Sequence, residues 1–234
     1  MPDLFKGGTL EMSTMPLPQP DTVQLWGDCV VNQVAVVAAI VLVIVVLSDL
    51  IMLFPQLLRC LSVWKGNLEI EHSVSLARTR NTVALALVLP FCIIADRWGL
   101  IAPSFKLAAR PEWQLLIATG ILSGGVLLRR LAYLISRFRS RTNEYACTVR
   151  NALYNYFILL ISVMVVTAVI MLAFRASDAA VRIVLLVETG LFYLMHLIRT
   201  GQIFASRCGS FTTFLYLCAL EILPAGFLLF VCAL

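Results

Sequence analysis

The apolar run Phe211–Leu234, FTTFLYLCALEILPAGFLLFVCAL, limits the folds open to this chain more than any other stretch. At about 1.5 Å per residue it is long enough to cross a bilayer as one helix. Near its middle stands one carboxylate, Glu221, and three residues later Pro224. Proline has no N–H and crowds the carbonyl four residues back, so the Leu220 carbonyl is expected to lose its usual partner. A carboxyl and a freed carbonyl within one turn, at membrane depth, each need a partner from another helix or from water.

Five further apolar runs precede it, at about Val30–Phe54, Thr82–Ile94, Trp113–Ile135, Asn151–Phe174 and Val181–Ile198. The chain is 61% hydrophobic and 13% charged, about half the charge of an ordinary soluble domain, which places it in lipid. The expected fold is therefore all-α: a polytopic membrane bundle of about six transmembrane helices. Residues 1–28 read as a polar, proline-punctuated tail and residues 29–234 as a single transmembrane domain. The tail does not resemble a cleavable signal, which would place basic residues directly before a short apolar core.

Pro55–Arg80 reads as the longest internal connection, with QLLRCLSVW lying along the membrane surface. The second run is short and carries Pro90, so it is expected to tilt little, to break at the proline, or to be extended at its start by part of LARTRN. Basic residues set the orientation. Arg59, Lys65, Arg78, Arg80, Arg137, Arg139, Arg141, Arg150, Arg199 and Arg207 follow the odd-numbered runs. On the opposite side stand Lys6, Arg97, Lys106, Arg110, Arg175 and Arg182. The surplus places both termini on the outer, periplasmic side. It also accounts for the net charge of +5 through anionic inner-leaflet lipid, with no need for nucleic acid.

Polar residues inside the runs are the candidate sites. Glu221 and Glu188 both fall near mid-membrane and should face the bundle interior, either joining helices or serving a proton, ion or substrate. Arg129 and Arg130 sit at a depth similar to Asp49, which suggests an ion pair between Asp49 and one of them. The alternative is that both arginines snorkel to inner headgroups. His196 reads as an interfacial histidine or a proton relay, and Tyr145, Tyr154 and Tyr156 as an inner aromatic belt. Gly120 and Gly124 form a small-xxx-small face for close helix packing, within the chain or with a second copy. Seven scattered cysteines without a CxxC pair read as small apolar residues. The familiar metal, nucleotide and P-loop signatures are missing, and no cofactor is expected.

The segment Phe214–Pro224, FLYLCALEILP, resembles the closing helix of an uncharacterised family of integral membrane proteins of Bacteroidetes-type bacteria, a domain of unknown function. Its Leu-Tyr-Leu-Cys-x-Leu-Glu-Ile-Leu-Pro pattern is carried here by Leu215, Tyr216, Leu217, Cys218, Leu220, Glu221, Ile222, Leu223 and Pro224. The sequence departs from the family in lacking a basic tail after the last span. The resemblance implies a multi-pass protein of a bacterial inner membrane and brings no activity with it. The leading functional expectation is a non-enzymatic assembly or accessory subunit whose partners are the bilayer and other inner-membrane proteins. A small proton-coupled carrier using Glu188 and Glu221 is the alternative. An enzyme acting on lipid-linked substrates, with Arg129 and Arg130 holding a phosphate, is the third.

Overall fold

The computed structural model describes residues 26–101, 111–135, 143–206 and 209–233, and among them there are helices and no strand. The tail over residues 1–25 and the loop residues Lys106, Arg110, Arg137, Arg139, Arg141 and Arg207 lie outside the described residues. Five helical stretches are long and apolar enough to cross a membrane: Val30–Ser62, Val74–Arg97, Glu112–Leu134, Thr148–Ala173 and Asp178–Ala205. A sixth, shorter apolar segment covers Thr213–Phe227.

Helix α1 (Val30–Ser62) follows a short 3-10 turn at Trp26–Asp28. It does not stop at Pro55, as the sequence suggests, but runs through it. Leu53, Leu57 and Cys60, at helical spacing on both sides of the proline, are each 0% exposed. Burying that stripe is worth several kcal/mol, more than the one backbone hydrogen bond the proline removes. QLLRCLS is thus the last two turns of a packed helix rather than a surface segment.

The stretch read as a connection is helical as well. It holds α2 (Lys65–His72) and the first half of α3 (Val74–Ala86), whose first turn is capped by Ser73 and whose last turns belong to the second apolar run. Gly66 opens α2 against the last turn of α1. A methyl there would come within 3.0–3.1 Å of the Cys60 nitrogen and the Arg59 carbonyl, so only glycine allows this approach. The break expected near Pro90 is present: α3 ends at Ala86, Leu87 forms a turn, and α4 (Val88–Arg97) resumes with Pro90 in its first turn. Gly99, at φ 61°, closes α4, with Leu100 N–H bonded to the Ala95 carbonyl and Gly99 N–H to Asp96.

Helices α5 (Pro111–Ile135), α6 (Asn143–Ala173) and α7 (Asp178–Ala205) follow. The α6–α7 turn has the same geometry as the end of α4, but a left-handed Arg175, at φ 51°, stands where α4 uses glycine. Helix α6 is central. Ile158, Leu159, Ile161 and Met164 share one buried core with Leu53 and Leu57 of α1, Ile70 of α2, Val83 of α3, Ile94 of α4 and Leu185 of α7. Helix α1 is peripheral, with Val34, Val37, Ile44 and Val45 each more than 60% exposed, an apolar surface compatible with a membrane-embedded helix.

Side-chain contacts show how the helix ends are grouped. At one end Trp26 Nε1 donates to Asp96 Oδ2 (2.7 Å), and Arg97 meets Asp178 (3.7 Å). The start of α1, the end of α4 and the start of α7 are therefore together. At the other end Arg199 of α7 donates to the Leu61 and Ser62 carbonyls of α1, and Asn151 of α6 donates to Glu71 of α2. The passes alternate in direction, as short connections in a helical bundle require.

Candidate functional site

The closing segment is not one regular helix. Helix α8 (Ser210–Leu217) leads into a wide π-helical turn, Cys218–Ile222, and then α9 (Leu223–Ala233). The cause is Pro224, which cannot donate to Leu220. Widening the turn lets Leu223 N–H reach the Cys218 carbonyl, and the chain continues past the proline without a break. Neighbouring Leu220 and Glu221 both point inward, 2% and 3% exposed.

Glu221 is enclosed by groups from two other helices. Arg129 of α5 grips it in a fork, Nη2 to Oε1 at 2.7 Å and Nε to Oε2 at 2.9 Å. Tyr133, one turn further along α5, donates its hydroxyl to Oε1 at 2.5 Å. From α7, His196 Nε2 lies 3.2 Å from Oε2. Four donor contacts fill the roughly four acceptor positions of a carboxylate. The geometry is that of a charge-assisted bidentate pair shielded from water, with side-chain exposure of 10% for Arg129 and 2% for Glu221.

Contacts behind these groups orient them. Arg129 Nη1 donates to the Arg150 carbonyl of α6 at 3.0 Å, and its guanidinium lies 5.0 Å from the Tyr133 ring centroid. The Thr200 hydroxyl sits 3.4 Å from His196 Nδ1. A neutral ring with its proton on Nε2 satisfies both contacts at once, donating to Glu221 and accepting from Thr200. Tyr193 donates to the main-chain carbonyl of Glu221 at 3.1 Å. A backbone acceptor near the proline is thus met by another helix, but it is the Glu221 carbonyl and not the Leu220 carbonyl that the sequence singles out.

The Tyr156 ring stands 5.4 Å from His196 and leads to a second buried polar group. Its hydroxyl donates to the Cys60 carbonyl (3.2 Å) and accepts from Asn67 (3.3 Å), whose Oδ1 accepts from Asn155 (2.8 Å). Beyond it, Arg80 (1% exposed) pairs with Glu71 at 2.8 Å, and Asn151 donates to the other oxygen of that carboxylate at 2.9 Å. The end of the bundle where α1, α5 and α7 finish is thus held by polar side chains from α2, α3, α5, α6, α7 and the π-helical turn.

Several expectations need correction. Asp49 is half-buried on α1 and pairs with neither arginine, because Arg129 is committed to Glu221 and Arg130 meets the Tyr154 hydroxyl at 2.5 Å. Arg129 does not snorkel; it is 8% exposed. Tyr156 is a core residue rather than part of a belt, at 2% exposure, and the Tyr145 side chain lies outside what is described. His196 is fully buried at 0% rather than interfacial. Gly120 and Gly124 are exposed, and a methyl at either would meet nothing within 4 Å, so among the described residues no helix packs closely on them. Glu188 lies two turns, about 12 Å, along α7 from His196. It takes a hydrogen bond from Thr167 of α6 at 2.6 Å, joining two helices apart from Glu221. Tyr216 stacks on Phe204 of α7 with centroids 5.8 Å apart, packing α8 without touching the carboxylate.

Tyr133, Tyr193 and Thr200 were missed at the sequence level, although Tyr133 follows Arg129 by four residues and Tyr193 and Thr200 flank His196 by three and four. The chain matches no family model, no curated protein and no solved structure.

Proposed function

We propose that this chain is a six-pass protein of a bacterial inner membrane, with both termini on the outer side, acting as a non-enzymatic assembly or accessory subunit of a membrane complex. The observation that carries this reading is the closed Glu221–Arg129 pair, with side chains 2% and 10% exposed. A carrier acid must exchange its partners for cargo or protons, and a catalytic group must be reachable by substrate. Glu221 has every acceptor position filled by protein donors, and Arg129 is spent on it rather than on a phosphate. Such a centre specifies how helices pack, and the long helices expose many Val, Ile and Leu side chains outward.

Two measurements test this. Extracted in mild detergent from its native membrane, the protein should run with a fixed partner at constant stoichiometry across purifications, and elution always as a lone monodisperse chain would refute the subunit reading. In intact cells an impermeant maleimide should label Ala179→Cys, in the first turn of α7, above the wild-type background. Val63→Cys, beyond the end of α1, should be labelled only after the membrane is opened. The reverse pattern overturns the orientation.

A further inference from the structure

Arg129 and Arg130 are adjacent in sequence and opposite in environment. Arg129 is buried on Glu221, whereas Arg130 is exposed, and among the described residues its one hydrogen-bond partner is the Tyr154 hydroxyl of α6 at 2.5 Å. A guanidinium has five N–H donors, so one phenol leaves most of its fork to meet an external acceptor. Tyr154 holds the side chain at the α5–α6 corner, where Arg150, also exposed, stands one turn earlier on α6.

The face of α5 leading away from Arg130 is apolar and open. Gly120, Ser123 and Leu127 recur on it at helical spacing, all exposed, Leu127 at 59%. The Ser123 hydroxyl donates to the Gly120 carbonyl at 3.0 Å, so its proton is satisfied within the helix. The stripe runs about 15 Å from Gly120 to Arg130, within the reach of an acyl chain. A cation at the end of an apolar stripe, on the bundle end that also carries Arg59, Lys65 and Arg199, has the charge pattern of an inner-leaflet headgroup site.

We propose that Arg130 and Tyr154 bind the phosphate of an anionic phospholipid, its acyl chain lying along Gly120, Ser123 and Leu127. This rests on the membrane reading above. Native mass spectrometry of the protein in neutral detergent, titrated with phosphatidylglycerol, phosphatidylcholine or inorganic phosphate, tests it. The wild type should prefer phosphatidylglycerol roughly fivefold, the ratio that about 1 kcal/mol per basic residue near an anionic surface corresponds to. Arg130→Gln should abolish that preference and Tyr154→Phe should reduce it. Arg182→Gln, at an exposed arginine on the opposite end, should leave it unchanged. Equal binding of both lipids, full preference in Arg130→Gln, or equal loss in Arg182→Gln overturns the site. Displacement of the lipid by millimolar inorganic phosphate overturns the lipid as its ligand. Alkaline extraction separates the two readings: a chain washed off membranes removes the membrane reading and this one together, whereas lost lipid preference in a chain that resists washing removes the lipid site alone.

Discussion

Glu221→Leu is expected to lower the unfolding free energy in detergent by about 3–5 kcal/mol, the usual cost of leaving a buried charge without its partner. The change strands the Arg129 guanidinium at 8% exposure with one protein acceptor left, the Arg150 carbonyl, and it removes the acceptor for Tyr133 and His196. Glu221→Gln should cost less, because an amide still accepts from Arg129 or Tyr133, although it cannot accept the full fork. The decisive variant is the double Glu221→Leu with Arg129→Met. Removing both charges and filling the space with apolar atoms should recover most of the loss, since a buried pair replaced by packed hydrocarbon is often neutral. A four-variant cycle followed by reversible unfolding should then show a coupling of 2 kcal/mol or more, roughly the upper range for residues sharing one network. A coupling near zero would mean that the two side chains do not act on each other.

Sequence reasoning located Glu221 because an acid in an apolar run has only costly alternatives to a partner. It could not supply that partner. Depth along a helix follows from counting residues, but the direction a side chain faces does not. Asp49 and Arg129 sit at similar depths, yet Arg129 faces α6 and the π-helical turn instead. Pro55 misled for a different reason: the local rule for proline is weaker than the burial of Leu53, Leu57 and Cys60 around it. The same reading made α2 and the first half of α3 a connection and Arg80 a loop cation, whereas Asn67, Glu71 and Arg80 take part in buried polar contacts. The glycine spacing on α5 suggested close helix packing, but spacing says nothing about whether anything approaches, and a methyl at Gly120 or Gly124 would meet nothing within 4 Å. Pro90 and Pro224, unlike Pro55, each coincide with a local change in the helix, a turn at Leu87 just before α4 and a π-helical turn just before α9.

The second large effect belongs to the stretch read as a loop. Glu71→Leu should destabilise the protein by about 3 kcal/mol, because Arg80 is 1% exposed and Glu71 is its countercharge at 2.8 Å. The loss should stay below that for Glu221→Leu. Asn81 Oδ1 still accepts from Arg80 Nε and Nη2, at 3.1 and 3.0 Å, and Glu71 is itself 18% exposed, so less desolvated charge is at stake. Asn151 also loses its acceptor in the variant. Glu71→Gln keeps an acceptor for one of the two donors and should fall between wild type and Glu71→Leu. Adding Arg80→Leu to Glu71→Leu should restore stability toward wild type, since no charge then remains buried. The same series separates a packed α2–α3 segment from a solvated loop. In a loop exposed to water each of these variants would shift stability by no more than about 0.5 kcal/mol, and the double variant would gain nothing over the single. Thermal unfolding of the four proteins side by side distinguishes the two outcomes.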